Sequence, residues 1–248
     1  MKHQTLSDAV TDFMELSDNA AILDIGCRNA GWLLCFENQF KSKIKKSIGV
    51  DKNSKGFTDF DLEGTSISLM EMDCSQNIDF PNETFDFVFS KDALECFADK
   101  KTLVREIHRI LKPNGTVICV HADWDSIVYN GSNKDLINKA VHAYANWQQP
   151  WMDDFDSWIG RRTYPIFHSS GLFESRIAVY NCIETEFTQD SYGYSMIDHF
   201  ECLVLHETGL LSREEYDCLK NDLLTSYQQG QYLFSKPFYI YKGIKKDF

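Results

Sequence analysis

Residues 21–31, AILDIGCRNAG, constrain this chain more than any other stretch. Three apolar residues lead into Asp24, and a small-residue turn follows at Gly26 and Cys27. The next run, WLLCF at 32–36, is apolar enough to open a buried helix. A short buried strand, a tight turn and a helix make the first unit of a nucleotide-binding α/β fold. Gly26 permits backbone angles that a side chain forbids, and it lets a ligand approach the main chain. The helix start beyond it offers unpaired N–H groups. The turn lacks the G-x-G-x-x-G fingerprint of dinucleotide folds. Taken alone, it also fits a purely structural strand-to-helix turn.

The alternation continues downstream. Residues 47–51 (SIGVD) read as a second strand ending in an acid, and 65–72 as a third, followed by Asp73 and Cys74. Residues 85–90 (FDFVFS) and 116–122 (TVICVHA) read as the fourth and fifth. Helices are predicted over 5–17, 31–40 and 100–111. The last of these carries Leu103, Ile107, Ile110 and Leu111 on one face and stops at Lys112-Pro113-Asn114-Gly115. Strands separated by helices pair in parallel through right-handed crossovers. After residue 123 the pattern changes. Residues 124–167 are aromatic-rich and read as largely helical, 198–229 as helical, and 175–187 and 238–245 as strands that pair antiparallel at the sheet edge.

A chain of 248 residues suffices for one domain with a lid. Its net charge of −12 argues against nucleic-acid or anionic-membrane binding. The lysine-rich run at 41–46 reads as a solvated helix end. No stretch approaches the ~20 apolar residues that span a bilayer, and the N-terminus lacks the apolar core of a signal peptide. The 8 cysteines form no C-x-x-C pair, so neither a zinc site nor a disulfide scaffold is expected. A reducing, cytoplasmic setting fits them. His142, His168, His199 and His206 have no metal-ligand spacing, so no metal is expected.

Several residues carry candidate chemistry. Asp51, at the end of the second strand, suits both hydroxyls of a ribose, as acids at this place do in dinucleotide folds. Asp73 can accept from the exocyclic amine of adenine, and the Cys74 N–H can donate to a ring nitrogen. Past the fifth strand lie His121, Asp123, Trp124, Asp125 and Tyr129, where ligands of open α/β sheets gather. His121 serves either as a base or as a strand histidine satisfied by a backbone partner. Asp123 either orients a polar substrate or caps the following helix. Trp147, Trp151, Phe155 and Trp158 include i, i+4 pairs, which make either a helical core stripe or a lid that stacks on a flat ring.

The D-x-G-C-R-N-A-G loop, FDFVFS-x-x-x-LE, the helix ending RILKPNG and the apolar strand after it occur in this order. Together they resemble class I S-adenosylmethionine-dependent methyltransferases, in the branch of ubiquinone-pathway and natural-product enzymes. The resemblance covers about residues 20–122. Arg28 and Ala30 stand where that family usually has glycines.

The resemblance implies a Rossmann-like three-layer α/β sandwich. Its seven-stranded sheet would have order 3-2-1-4-5-7-6, mostly parallel with an antiparallel last strand. The cofactor-binding core would span about 18–123, with lid insertions at about 124–170 and 188–232 of a single 1–248 domain. S-adenosylmethionine would be the cofactor and S-adenosylhomocysteine its product. Gly26, Cys27 and Arg28 would line the methionine part. Asp24 would hold the loop and, through water, the ammonium, which the Ser90 carbonyl would also meet. Asp51 would take the ribose, and Asp73 and Cys74 the adenine. Arg28 would point outwards or pair with an acid such as Asp24 or Glu95.

Methyl transfer is an in-line displacement that needs alignment, exclusion of water and, for a hydroxyl, a base. His121 and Asp123 are the catalytic candidates, and Trp124, Tyr129, Trp147 and Trp151 the substrate-binding ones. A small amine or heteroaromatic acceptor and N-methylation are favoured over O-methylation, because no strong base constellation shows. Two other expectations stay open: a protein or RNA methyltransferase, and a non-catalytic domain with a degenerate loop. Monomer and homodimer are both compatible with the sequence.

Overall fold

In a computed structural model, the structure describes residues 5–150 and 152–247. β1 (Ala20–Ile25) is buried along most of its length and pairs in parallel with β2 (Ile44–Asp51) and β4 (Phe85–Lys91). β3 (Ile67–Glu71) lies outside β2, and β5 (Leu111–Ala122) lies outside β4, both parallel. The crossovers α2 (Gly31–Phe40) and α3 (Lys100–Ile110) connect β1 to β2 and β4 to β5. All five parallel strands therefore end on one side, the side on which open α/β sheets bind their ligands.

β8 (Leu233–Lys245) runs antiparallel to β5 over residues 238–244 and to β7 (Phe173–Glu184) over residues 234–245. The short β6 (Val128–Asn130) pairs with residues 233–235 of β8. Two of those β8 residues pair with β7 as well, so β6 sits on the β5 side. It prolongs β5 after a 3-10 turn at Trp124–Ser126. Eight strands thus fill seven positions, 3-2-1-4-5-8-7, with β6 sharing the place of β5. This is the expected sheet and the expected antiparallel closing strand, with one extra short strand.

Other expectations change. α1 is only Leu6–Thr11, because the chain turns after Asp12 to insert Met14 and Leu16 into the core. The LKPNG turn is a bulge inside β5, where the register slips between Phe85–Leu111 and Phe87–Thr116 and Asn114 takes φ +60°. The aromatic stripe is not helical. α4 (Lys134–Ala145) ends at Asn146, and Trp147, Phe155 and Trp158 lie outside helices. Pro150 lacks an N–H and disfavours helical angles at Gln149, which cuts the i, i+4 series. Trp151 lies outside the described residues. The single helix predicted over 198–229 is two, α6 (Tyr192–Leu205) and α7 (Arg213–Gln228). They are parted at Gly209 (φ +72°) and restarted by a Ser212–Glu215 capping box.

Three buried clusters result. Leu23, Val88, Ile107 and Tyr241 pack on one sheet face, where α5 (Ile159–His168) adds Ile159 and Phe167. α5 therefore packs on the sheet, although its residues were predicted within the lid. Ile22, Phe36, Phe89, Ile118 and Phe238 fill the other face beneath α2. The lid has a core of its own, in which Ile137, Phe200, Leu219 and Phe234 join α4, α6, α7 and β8. Among the described residues no helix is long and apolar enough to cross a membrane.

Candidate active site

The turn after β1 is built on close backbone approaches. Gly26 has φ +75°, and a Cβ there would come 2.5 Å from the Ala93 Cβ. Its N–H and that of Cys27 both donate to the Val50 carbonyl, at 2.8 and 3.1 Å. Arg28 (φ +51°) and Ala30 (φ +64°) also take left-handed angles. For residues with a Cβ this costs roughly 1–2 kcal/mol each. The strain is held by the Arg28 N–H on Asp51 Oδ2 (2.9 Å) and the Ala30 N–H on the Cys27 carbonyl (3.0 Å). The loop thus keeps a glycine-like path without its second and third glycines. The Arg28 side chain is exposed and pairs with neither Asp24 nor Glu95 among the described ion pairs.

Asp51, half-buried at the end of β2, accepts the Arg28 and Asn53 N–H groups on its two oxygens. A carboxylate oxygen has two lone pairs, so both oxygens retain capacity for hydroxyl donors. Asp24 is buried beneath the turn, and its pKa is pushed up to about 8. Burial is the main cause and the Asp51 charge adds to it, against the pull of Lys91. A cation bound here would relieve that penalty. Asp73 is exposed, accepting from the Ser75 N–H at 2.9 Å and facing Lys52 at 3.7 Å, while Cys74 is buried. Lys52 also reaches Asp153 at 2.9 Å, which ties Asp153 to this rim. Ser90 is buried, and its hydroxyl donates to the Ile25 carbonyl (2.9 Å), joining β4 to β1 at the turn.

A second group gathers beyond β4 and β5. Asp92 (φ +48°) accepts from the Ala122 N–H at 3.0 Å and pairs with Lys91. Burial pushes its pKa up, but Lys91, His121 and Lys236 together hold it well below the usual carboxylate range. Glu95 is buried and accepts from Trp124 Nε1 at 2.6 Å. Burial and the Asp92 charge raise its pKa to about 8. His121 is completely buried, and among the described residues neither ring nitrogen has a hydrogen-bond partner. Nδ1 stands 3.5 Å from Asp92 and 3.7 Å from Glu95. Burial pushes its pKa down to about 4 although Asp92 draws it up.

Lys236 of β8 is also fully buried. Its Nζ lies 3.7 Å from the Trp124 ring centroid and donates to the Tyr192 hydroxyl at 2.9 Å.

The structure therefore brings Asp24, Gly26, Cys27, Arg28 and Asp51 around one turn, and His121 and Trp124 around another centre beside Ser90. Asp123 is wholly buried and held by the Arg161 guanidinium through both oxygens, which makes it an anchor between β5 and α5 rather than a free base. Tyr129 donates to the Gly193 carbonyl at 2.8 Å inside the lid, and Trp147 packs against Tyr144 and His206 there. Sequence reasoning assigned no role to Asp92, Lys236 and Tyr192, and gave Glu95 only a pairing with Arg28. The period-2 alternation of Phe234, Lys236, Phe238 and Ile240 was the signal for an inward lysine.

Residues 23–119 match the family model described as a methyltransferase domain. The matched segment covers less than half of the chain. It ends inside β5, so α4, α6 and α7 lie outside the match. The demethylmenaquinone methyltransferase of Bacillus velezensis is 26% identical over 122 residues, 48% of this chain and 52% of the relative. Phosphoethanolamine N-methyltransferase 3 of Arabidopsis thaliana is 29% identical over 112 residues, 43% of this chain and 22% of the relative. The match thus spans about half the length of the first relative and less of the second. Among solved structures, the YcgJ protein of Bacillus subtilis has a TM-score of 0.65 at 19% identity, covering 98% of both chains. Phosphoethanolamine N-methyltransferase 2 of Haemonchus contortus, solved with S-adenosyl-L-methionine, has a TM-score of 0.56 at 17% identity, covering 97% of this chain and 52% of that one. At these identities the likeness is one of fold, and with the YcgJ protein it extends over nearly the whole chain.

Proposed function

We propose that this chain transfers a methyl group from S-adenosylmethionine to a small-molecule acceptor, leaving S-adenosylhomocysteine. The observation that carries the reading is Asp24, a buried carboxylate short of a matching cation, beneath a Gly26 turn with Asp51 beside it. Asp51 would take the ribose hydroxyls. Asp73 and the Cys74 N–H would take the adenine. Gly26, Cys27 and Arg28 would line the methionine part, with Asp24 and the Ser90 carbonyl toward its ammonium. The cofactor supplies a sulfonium-bound methyl carbon that is already activated. This chain has to orient an acceptor nucleophile in line with that carbon and exclude water.

The acceptor end would be the chamber of Asp92, Glu95, His121, Trp124 and Tyr192. Two carboxylates and two electron-rich rings suit an amine, so N-methylation is the favoured chemistry. The left-handed Arg28 and Ala30 support a working loop over a decayed one, since a relaxed loop would not hold strained angles. Calorimetry with S-adenosylmethionine tests the cofactor assignment: the protein should bind it, and Asp51→Ala should bind it at least tenfold more weakly. Mass spectrometry of a metabolite extract incubated with isotope-labelled donor tests the transfer. No binding by the unaltered protein sinks the reading.

A further inference from the structure

On the methyl-transfer reading above, we propose that Lys236 is the group that takes the proton from the acceptor nitrogen. The residue stands at a junction. It lies on β8 opposite the break between β5 and β6, where the chain leaves the sheet for the lid. It is fully buried, in line with the inward-facing Phe234 and Phe238. Trp124 from the end of β5, Tyr192 from α6 and Phe238 from β8 surround its Nζ, with centroids at 3.7, 5.0 and 5.1 Å.

The hydrogen bonding leaves Nζ short of oxygen partners. An ammonium carries three donors and seeks oxygen. Among the described residues Nζ has a single oxygen partner, the Tyr192 hydroxyl at 2.9 Å, with the Met196 sulfur at 3.8 Å. Among the described residues no carboxylate stands within ion-pair distance of it, although Asp92 and Glu95 are both in the same chamber. A purely structural lysine would close an ion pair with one of these acids. This one is held short of them by the Trp124 ring, whose Nε1 donates to Glu95.

The groups facing it come from every wall: Lys91 and Asp92 from the end of β4, Glu95, His121 of β5, Cys182 of β7, and Tyr192 of α6. Burial is the largest influence on Lys236 and lowers its pKa to about 7, against the pull of Asp92. Neutral Nζ is therefore well populated near neutrality.

The step balances simply. An acceptor R–NH3⁺ gives one proton to neutral Nζ and becomes R–NH2. Its lone pair attacks the methyl carbon, the C–N bond forms as the C–S bond breaks, and the electron pair leaves with sulfur. The resulting Lys236 ammonium returns its proton to water when the lid opens. His121, whose nitrogens lack hydrogen-bond partners among the described residues, is the weaker base of the two and lies against Asp92 instead.

Three variants and one titration test this. The ¹⁵Nζ signal of Lys236, assigned by its loss in Lys236→Arg, should titrate near pH 7 in the unaltered protein. With labelled S-adenosylmethionine and a metabolite extract, kcat/KM should rise about tenfold per pH unit below that midpoint and level above it. Lys236→Met and Lys236→Arg should each lower transfer by at least about 100-fold, in the range of a lost general base. Both should bind S-adenosylmethionine within about threefold of the unaltered protein. Tyr192→Phe, which removes the oxygen partner of Nζ, should move the midpoint of the Lys236 ¹⁵Nζ titration. A Lys236 signal titrating near 10, or transfer undiminished in Lys236→Met, overturns the assignment. Cofactor binding lost in both lysine variants overturns it in favour of a structural role. Cofactor bound but no transfer by the unaltered protein defeats the methyl-transfer reading itself, and this assignment with it.

Discussion

Replacing Lys236 with methionine should stabilise the protein at neutral pH, although it removes a fully buried side chain's oxygen contact. The lysine value falls from 10.5 to about 7 on folding, so the folded state resists the proton that the unfolded state keeps. The sign follows from linkage: stability is lost as pH falls from about 10.5 to about 7, and the penalty is constant below that. A shift of this size amounts to about 4 kcal/mol at pH 7. Two contacts offset it: the stacking of Nζ on Trp124 contributes about 2 kcal/mol, and the bond to Tyr192 about 1 kcal/mol. Methionine fills a similar volume and keeps the chamber packed. The net gain is about 1 kcal/mol, which raises the melting temperature by roughly 2–4 °C in a chain of this size. The assay is thermal unfolding of both proteins at pH 7 and pH 10. The gain should appear at pH 7 and vanish or reverse at pH 10, where the unaltered lysine is neutral in the fold at little cost. A variant less stable by the same margin at both pH values would refute the argument, because it would mean that Lys236 folds as a satisfied cation.

Gly26→Ala should destabilise the fold by about 2 kcal/mol or more and abolish cofactor binding in calorimetry, since its Cβ would overlap Ala93 at a left-handed φ. Arg28→Gly should do the opposite and raise stability in urea by up to about 1 kcal/mol, by relieving the left-handed backbone. Arg161→Ala should cost about 3–5 kcal/mol, read from the denaturation midpoint, because it strands the buried Asp123 carboxylate. Asp24→Asn should alter the pH dependence of stability: the raised value of Asp24 means the native protein loses stability as pH climbs from about 4 to about 8. The variant lacks that loss, so the gap measured at pH 5 should widen by pH 8.

The inner parallel strands were legible because β1, most of β4 and the later halves of β2 and β5 are buried and read as near-continuous apolar runs, whereas β3 at the edge is largely exposed. Leu23, Val88 and Ile118 have no polar phase to confuse with loops. The lid was harder. Trp147 to Phe155 kept helical spacing across Pro150, and periodicity counts side chains without counting missing N–H groups. Tyr129 looked like a ligand contact because it follows the fifth strand, yet β6 carries it along β8 into the lid core. Asp123 read as a substrate-orienting acid or a helix cap because its partner Arg161 is 38 positions away, a distance no local pattern encodes. Lys236 escaped notice for a related reason. A lysine between Ser235 and Pro237 reads as a surface residue until the phase of its apolar neighbours is followed.

The helices over the crevice own a separate interior, sealed by Phe200, Leu219 and Phe234, which touches the sheet mainly along one strand. Substitutions there can reshape what enters without disturbing the nucleoside half, and the reverse also holds. A swapped cap from a structural neighbour, joined within β5 and again ahead of β8, should fold and carry its own acceptor preference with it.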